Sequence, residues 1–237
     1  SIQVQTLFSG PRYPSVFDSL ENIWPDVSPP FYAAVLSPFF DPPEGPNRPA
    51  QKLWELVRKR GYAVVEFHVA GEEEDSTTKL NAPKSLLDAQ PEGRSEGETC
   101  VRLVELDDDR KLHAKGVWFH DARWSVYSIG SSNFTSAGTG IGKASNLEAN
   151  LVYIGDKTRN RKISDRLADA WPPWEPVDVD GDVHWDLIEE EGEDSPPVED
   201  VRLPPAFGDA IYKRDDKAGA VIALSIIGEP PRGWELR

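Results

Sequence analysis

The stretch LHAKGVWFHDARWSVYSIGSSNFTSAGTGIGKASNLEANLVY, Leu112 to Tyr153, decides how this chain is read. It alternates short apolar runs with turn residues, which predicts strands at Leu112 to Phe119, Trp124 to Ile129 and Glu148 to Ile154. Gly130-Ser131-Ser132-Asn133 supplies the turn after the second of them. His113 and Lys115 are two apart, so on a strand both side chains leave the same face. Glu148, Asn150, Val152 and Ile154 likewise share a face, with Glu148 at the strand's beginning.

Working outward, the same patterns predict an α/β fold. Ser15 caps a helix that carries Val16, Leu20, Ile23 and Trp24 on one stripe and stops at Pro25. Phe31 to Leu36 reads as a buried strand. Pro49 opens a helix with Leu53, Leu56 and Val57 inward, Gly61 closes it, and Ala63 to Val69 is the next strand. That order predicts a parallel crossover. Ala70 to Gly97 is polar and broken by Pro83 and Pro91, a surface excursion with one short helix at Ser85 to Ala89. Val101 to Leu106 resumes the sheet. A helix from Arg161 to Trp171 places Ile163, Leu167 and Trp171 at helical spacing and ends at Pro172-Pro173.

The residue types in the central stretch suit substitution at phosphorus. A neutral imidazole such as His113 can attack phosphorus and form a phosphohistidine, splitting one hard step into two. Lys115 and the Asn133 amide can balance charge on the non-bridging oxygens. Glu148 can fix the imidazole tautomer. The scheme calls for no metal and no other cofactor. Each residue also has a plainer role: Asn133 as the cap of a following helix, Ser131 and Ser132 as turn residues or phosphate contacts, Glu148 as a solvated edge residue.

His113-Ala-Lys115, Gly130-Ser131-Ser132-Asn133-Phe134-Thr135 and Asn146-Leu-Glu148 together resemble the HKD motif of the phospholipase D superfamily. The resemblance implies that family's α/β/α layers: a mixed, largely parallel sheet flanked by helices, in residues 1–175. It also implies catalytic roles for His113, Lys115, Asn133 and Glu148. Where the family carries an aspartate, five positions after the lysine, this chain has His120, with Asp121 next. The missing aspartate and the long gap from Lys115 to Asn133 are similar to the HKN variant of tyrosyl-DNA phosphodiesterases, which tilts the expected substrate toward nucleic acid or its adducts. A lipid phosphodiester and a non-catalytic phosphate clamp are the other readings. Superfamily sites join two HxK motifs. His68, His120 and His184 lack a lysine two positions on, so the other half is expected from a longer chain or a homodimer. A chain with no methionine that opens at Ser1 fits a piece of a longer protein.

Composition bounds the rest. With 237 residues and 38% hydrophobic content, one good core is within reach. No apolar run is long enough to span a membrane. The single cysteine, Cys100, excludes an internal disulfide and a thiolate zinc cluster and fits a reduced, cytoplasmic compartment. A net charge of −15 argues against a broad DNA-coating surface. Lys157, Arg159, Arg161, Lys162 and Arg166 form either a local phosphate-tracking patch or a solvated helix face. Trp118 and Trp124 either stack bases or fill the core, and Trp118 points away from the His113 face.

Residues 176–200 read as an acidic linker. Asp178, Asp180, Asp182, Asp186 and Glu189 fall at oxygen-ligand positions of an EF-hand-like loop, but the turn glycine is displaced to Gly181. In residues 201–237, Ala210 to Lys213 and Ala220 to Ile227 look like paired strands that begin a short β-rich appendage.

Overall fold

The computed structural model describes residues 2–58, 61–74, 77–92, 96–106, 111–159, 162–187, 207–215 and 219–226. The first part of the chain runs β1 (Ile2–Ser9), α1 (Val16–Ile23), β2 (Tyr32–Leu36), α2 (Arg48–Leu56) and β3 (Val64–Val69). Then come β4 (Gly71–Glu74), β5 (Thr77–Asn81), a 3-10 turn at Lys84–Ala89 and β6 (Glu98–Val104). The central stretch supplies β7 (Gly116–His120), β8 (Trp124–Gly130) and β9 (Glu148–Asp156). It is followed by α3 (Lys162–Ala168), β10 (Trp174–Pro176), β11 (Val183–Asp186), β12 (Phe207–Asp215) and β13 (Gly219–Ile226).

A mixed eight-stranded sheet in the order β1-β9-β8-β7-β2-β3-β6-β10 confirms the expected α/β class. Parallel pairing is confined to β2 with β3 and β3 with β6, where helical segments cover the crossovers. The other pairs, β1 with β9, β9 with β8, β8 with β7, β7 with β2 and β6 with β10, are antiparallel. The sheet is therefore less parallel than the motif resemblance implied.

Local signals explain the helices. The Ser15 hydroxyl accepts from Asp18 N at 3.1 Å to cap α1. Asn47, rather than the Pro49 favoured by sequence, starts α2 by accepting from Ala50 N at 3.0 Å. Both helices cover one sheet face, burying Phe17, Leu53 and Trp54 against Val35, Val65, Phe67, Val117, Val126 and Val152. Each such side chain contributes roughly 1.5–3 kcal/mol. The other face carries α3 and a smaller cluster of Ala34, Leu36, Leu112, Tyr127, Leu167 and Trp171. The side chain of Cys100 is buried and free of any disulfide.

Two segments depart from expectation. The Ala70 to Gly97 excursion contains the β4–β5 hairpin, and β11, inside the expected acidic linker, pairs in parallel with β5. Val183 and Trp185 pack on the main core, so burial outweighs the local excess of carboxylates. The chain divides into two compact units, Ser1–Glu190 and Glu191–Arg237. The described part of the second unit is the antiparallel β12–β13 hairpin, close to the strand pair expected there. Among the described residues no helix is long and apolar enough to cross a membrane.

Candidate active site

The carboxyl ends of β2, β3 and β6 lie at the same end of the sheet as the start of β7, the end of β8 and the start of β9, because Leu36 pairs Gly116, Gly116 pairs Ile129 and Gly130 pairs Asn150. Open α/β sheets hold their ligands at this end. His113 and Lys115 were expected inside a strand from Leu112. They lie instead in the segment just before β7, which starts at Gly116. The Lys115 carbonyl accepts from Gly130 N at 3.2 Å, which locks that segment to the Gly-Ser-Ser-Asn turn.

His113 is exposed, whereas Lys115 is only 8% exposed. The Lys115 ammonium donates to the His113 carbonyl at 2.9 Å and lies 3.4 Å from each imidazole nitrogen. A cation held in that place can meet an oxygen of any anion the ring approaches. Glu148, 8% exposed, accepts from the Ser131 hydroxyl. The same hydroxyl accepts from Ala149 N at 3.1 Å. Ser132 Oγ accepts from the Asn150 amide at 2.8 Å, a pairing that no local sequence signal marks.

Asn133 is buried at 9% exposure, but no regular helix follows it, so the capping role is not the one it plays. It leads into a tight loop. Phe134 N donates to Ser37 Oγ at 3.0 Å, and Ser136 donates to the Asp41 carboxylate through its backbone N at 2.7 Å and its hydroxyl at 2.5 Å. Ser37 and Asp41 thus support the turn from a distant loop, and nothing in their local sequence marks that role. A Cβ on Gly138 would come within 2.5 Å of Asn133 O, so a side chain there would push the asparagine out of place. At Gly130 a Cβ would collide with the Ala149 carbonyl oxygen and the Asn150 side-chain oxygen. Gly130→Ala is therefore expected to cost about 1–3 kcal/mol and to impair the site, as read by thermal unfolding together with anion binding.

No protein-family model and no curated protein matches the sequence. Among solved structures, phosphatidylserine synthase of Haemophilus influenzae Rd KW20 aligns at 16% identity and a TM-score of 0.43, over 74% of this chain and 40% of that one. NucT from Helicobacter pylori aligns at 12% identity and a TM-score of 0.38, over 71% of this chain and 95% of that one. The yeast tyrosyl-DNA phosphodiesterase aligns at 12% identity and a TM-score of 0.32, over 64% of this chain and 31% of that one. The chain spans less than half the length of the synthase and of the yeast enzyme.

Position 120, where the phospholipase D pattern has aspartate, lies at the far end of β7 from Lys115. Its histidine stacks on Tyr32 at 4.2 Å, and burial together with the nearby Lys157 charge brings its pKa down to about 4. Asp121 accepts from Arg123 N and Trp124 N, each at 2.6 Å, and so holds the β7–β8 turn. Lys157 and Arg159 also sit at that far end. β9 is nine residues long, so about 30 Å of strand separates them from Glu148. The Lys157 ammonium donates to Asp121 O, and Arg159 Nε lies 3.6 Å from Asp156 Oδ2. The structure does not bring this pair to the His113 end, because strand length separates what sequence proximity to Glu148 had suggested. Arg161 lies outside the described residues, and Lys162 and Arg166 are exposed on α3.

Trp118 faces α3, away from the Val117 and Phe119 side, and donates to Ser125 Oγ at 2.8 Å. Trp124 packs at the edge of the main core under the Arg123 guanidinium, 4.8 Å from its ring. Of the EF-hand-like positions, Asp182 accepts from Thr77, Asp178 from Asp180 N, and Asp186 belongs to β11. Glu189 lies outside the described residues. Among the described residues no three carboxylate, histidine or cysteine side chains are grouped to hold a metal.

Proposed function

We propose that this chain is one half-site of a phospholipase D-type phosphodiesterase that works through a phosphohistidine and without a metal, on nucleic acid or its adducts. The observation that carries the reading is the Lys115 ammonium 3.4 Å from both nitrogens of an exposed imidazole, in a segment whose Lys115 carbonyl is tied to Gly130 N at the head of the turn that carries Asn133. In this scheme His113 attacks phosphorus or protonates the leaving oxygen, Lys115 and Asn133 hold the non-bridging oxygens, and Glu148 orients the ring. Ser131 and Ser132 hold Glu148 and Asn150, and in this scheme their hydroxyls also contact a phosphate oxygen. Lys157 and Arg159 retain only a more distant role, toward an extended backbone, and Arg161 is kept as a phosphate contact on its sequence position alone.

The second HxK comes from the same longer chain or from a second copy. An apolar strip supports such a partner: Val4, Phe8 and Leu151 are 53%, 47% and 42% exposed on β1 and β9, and Leu147 is 72% exposed beside Glu148. A lipid phosphodiester is the second reading, favoured by the net charge of −15, which suits long nucleic acids poorly.

Labelled single-stranded DNA, a 3′-phosphotyrosyl oligonucleotide and phosphatidylcholine vesicles, each incubated with the protein in EDTA, test the proposal. Cleavage of either DNA substrate with the chelator present is expected. Turnover of the vesicles alone would move the substrate to lipid, and full inhibition by EDTA would remove the metal-free mechanism.

A further inference from the structure

We propose that the sheet face opposite Val117 and Val152 carries a second ligand site, an aromatic cavity for a small organic cation with a methylated ammonium head. The cavity measures about 620 Å³ and has walls of Tyr32, Trp118, Trp171 and Trp174. His68, 1% exposed, closes its floor, and the exposed Glu105 and Asp169 stand at its rim. That size and mixture are those of a small-molecule pocket. It is separate from the candidate active site. Glu148 shares its β9 face with Val152 and Ile154 of the main core, whereas Tyr32, Trp118 and Trp171 belong to the cluster under α3.

The walls are inclined to one another rather than stacked shut. Trp118 and Trp171 meet at 43° with centroids 5.9 Å apart, and Tyr32 meets Trp118 at 76° and 6.0 Å. Aromatic faces attract a desolvated cation through the ring quadrupole. This wall already holds one: the Arg102 guanidinium lies 4.6 Å over the Trp174 ring. Arg102 is itself paired with Glu66 at 2.6 Å, so that pair is neutral and the rim carboxylates set the sign of the field. A phosphate-bearing ligand would be repelled, and an ammonium would be drawn in.

The test uses tetramethylammonium and choline as probes and 3,3-dimethyl-1-butanol as the uncharged isostere of choline. Binding to the full chain is measured by calorimetry and by the indole N–H resonances. Choline is expected to bind about tenfold more tightly than the isostere and to shift the Trp171 and Trp174 indole signals. Trp174→Leu, at a position 40% exposed, and the exposed pair Glu105→Gln with Asp169→Asn should each weaken choline about threefold or more, the carboxylate pair while leaving the unfolding midpoint in place. Equal affinity for choline and its isostere overturns the proposal, as does the absence of binding by either cation. Displacement of choline by a nucleoside monophosphate would overturn it in favour of a nucleotide. None of these readouts depends on phosphodiester turnover, so loss of the proposed catalytic function would leave this site to stand or fall by itself.

Discussion

If His113 acts as proposed, His113→Asn is expected to lower phosphodiester turnover by on the order of 10⁴- to 10⁶-fold while leaving the fold intact, because it would remove the nucleophile or the acid and leave only binding. The ring is exposed, so its loss opens no cavity. The backbone carbonyl that Lys115 grips survives the substitution. Unfolding by urea and single-turnover assays on the same preparation separate the two effects. A variant that folds normally and turns over at the parent rate would sink the assignment of His113. Lys115→Met is a useful companion: it keeps side-chain volume but takes the ammonium from beside the imidazole, so the loss should fall on substrate binding and rate together.

The second large effect concerns stability. Arg102→Leu is expected to cost about 3–5 kcal/mol near neutral pH, because it strands the buried Glu66 carboxylate. Burial alone would raise the Glu66 pKa, but hydrogen bonds from His68, Tyr32 and Arg102 bring it from 4.5 down to about 2. The Tyr32 hydroxyl donates to Glu66 at 2.6 Å, and Arg102 reaches the other oxygen at 2.6 and 3.2 Å. A carboxylate with a depressed folded-state pKa contributes stability above its unfolded pKa. Here that amounts to roughly 3 kcal/mol, lost as the pH falls from about 4.5 through about 2. The wild-type chain should therefore lose stability over that window. The gap to Arg102→Leu should narrow there, since a protonated Glu66 no longer needs the guanidinium. Urea denaturation at pH 7, 4 and 2.5 reads this directly. A gap that stays constant with pH would assign the loss to the stacking on Trp174 instead.

Local chemistry made much of the molecule legible. Ser15 and Asn47 begin helices because their side chains meet the free N–H groups of the first turn. The alternation in β9 buries one face on the main core, through Val152 and Ile154, whereas β8 is buried on both faces, with Val126 on the main core and Tyr127 in the cluster under α3. β1 had no comparable signal: its outward residues Ile2, Val4 and Phe8 are apolar, so the alternation that marks a half-buried strand is absent. The short β4, β5 and β11 exist only because they pair with one another, and pairing between residues a hundred positions apart leaves no local trace.

The site divides along the same line. From the sequence alone came the identities: an imidazole and an ammonium two residues apart, a Gly-Ser-Ser-Asn turn, and a glutamate opening a strand, since residue type and spacing are local properties. The tertiary structure decided which of them meet. It seats the Lys115 ammonium against the His113 ring, ties Ser131 to Glu148, and props the Asn133 turn on Ser37 and Asp41. It leaves Lys157 and Arg159 a strand's length away. It also gathers Tyr32, Trp118, Trp171 and Trp174 around one cavity from three strands and the loop after α3. Such encounters follow from strand register and sheet order, which are set by burial of the whole core rather than by the neighbours of any one residue.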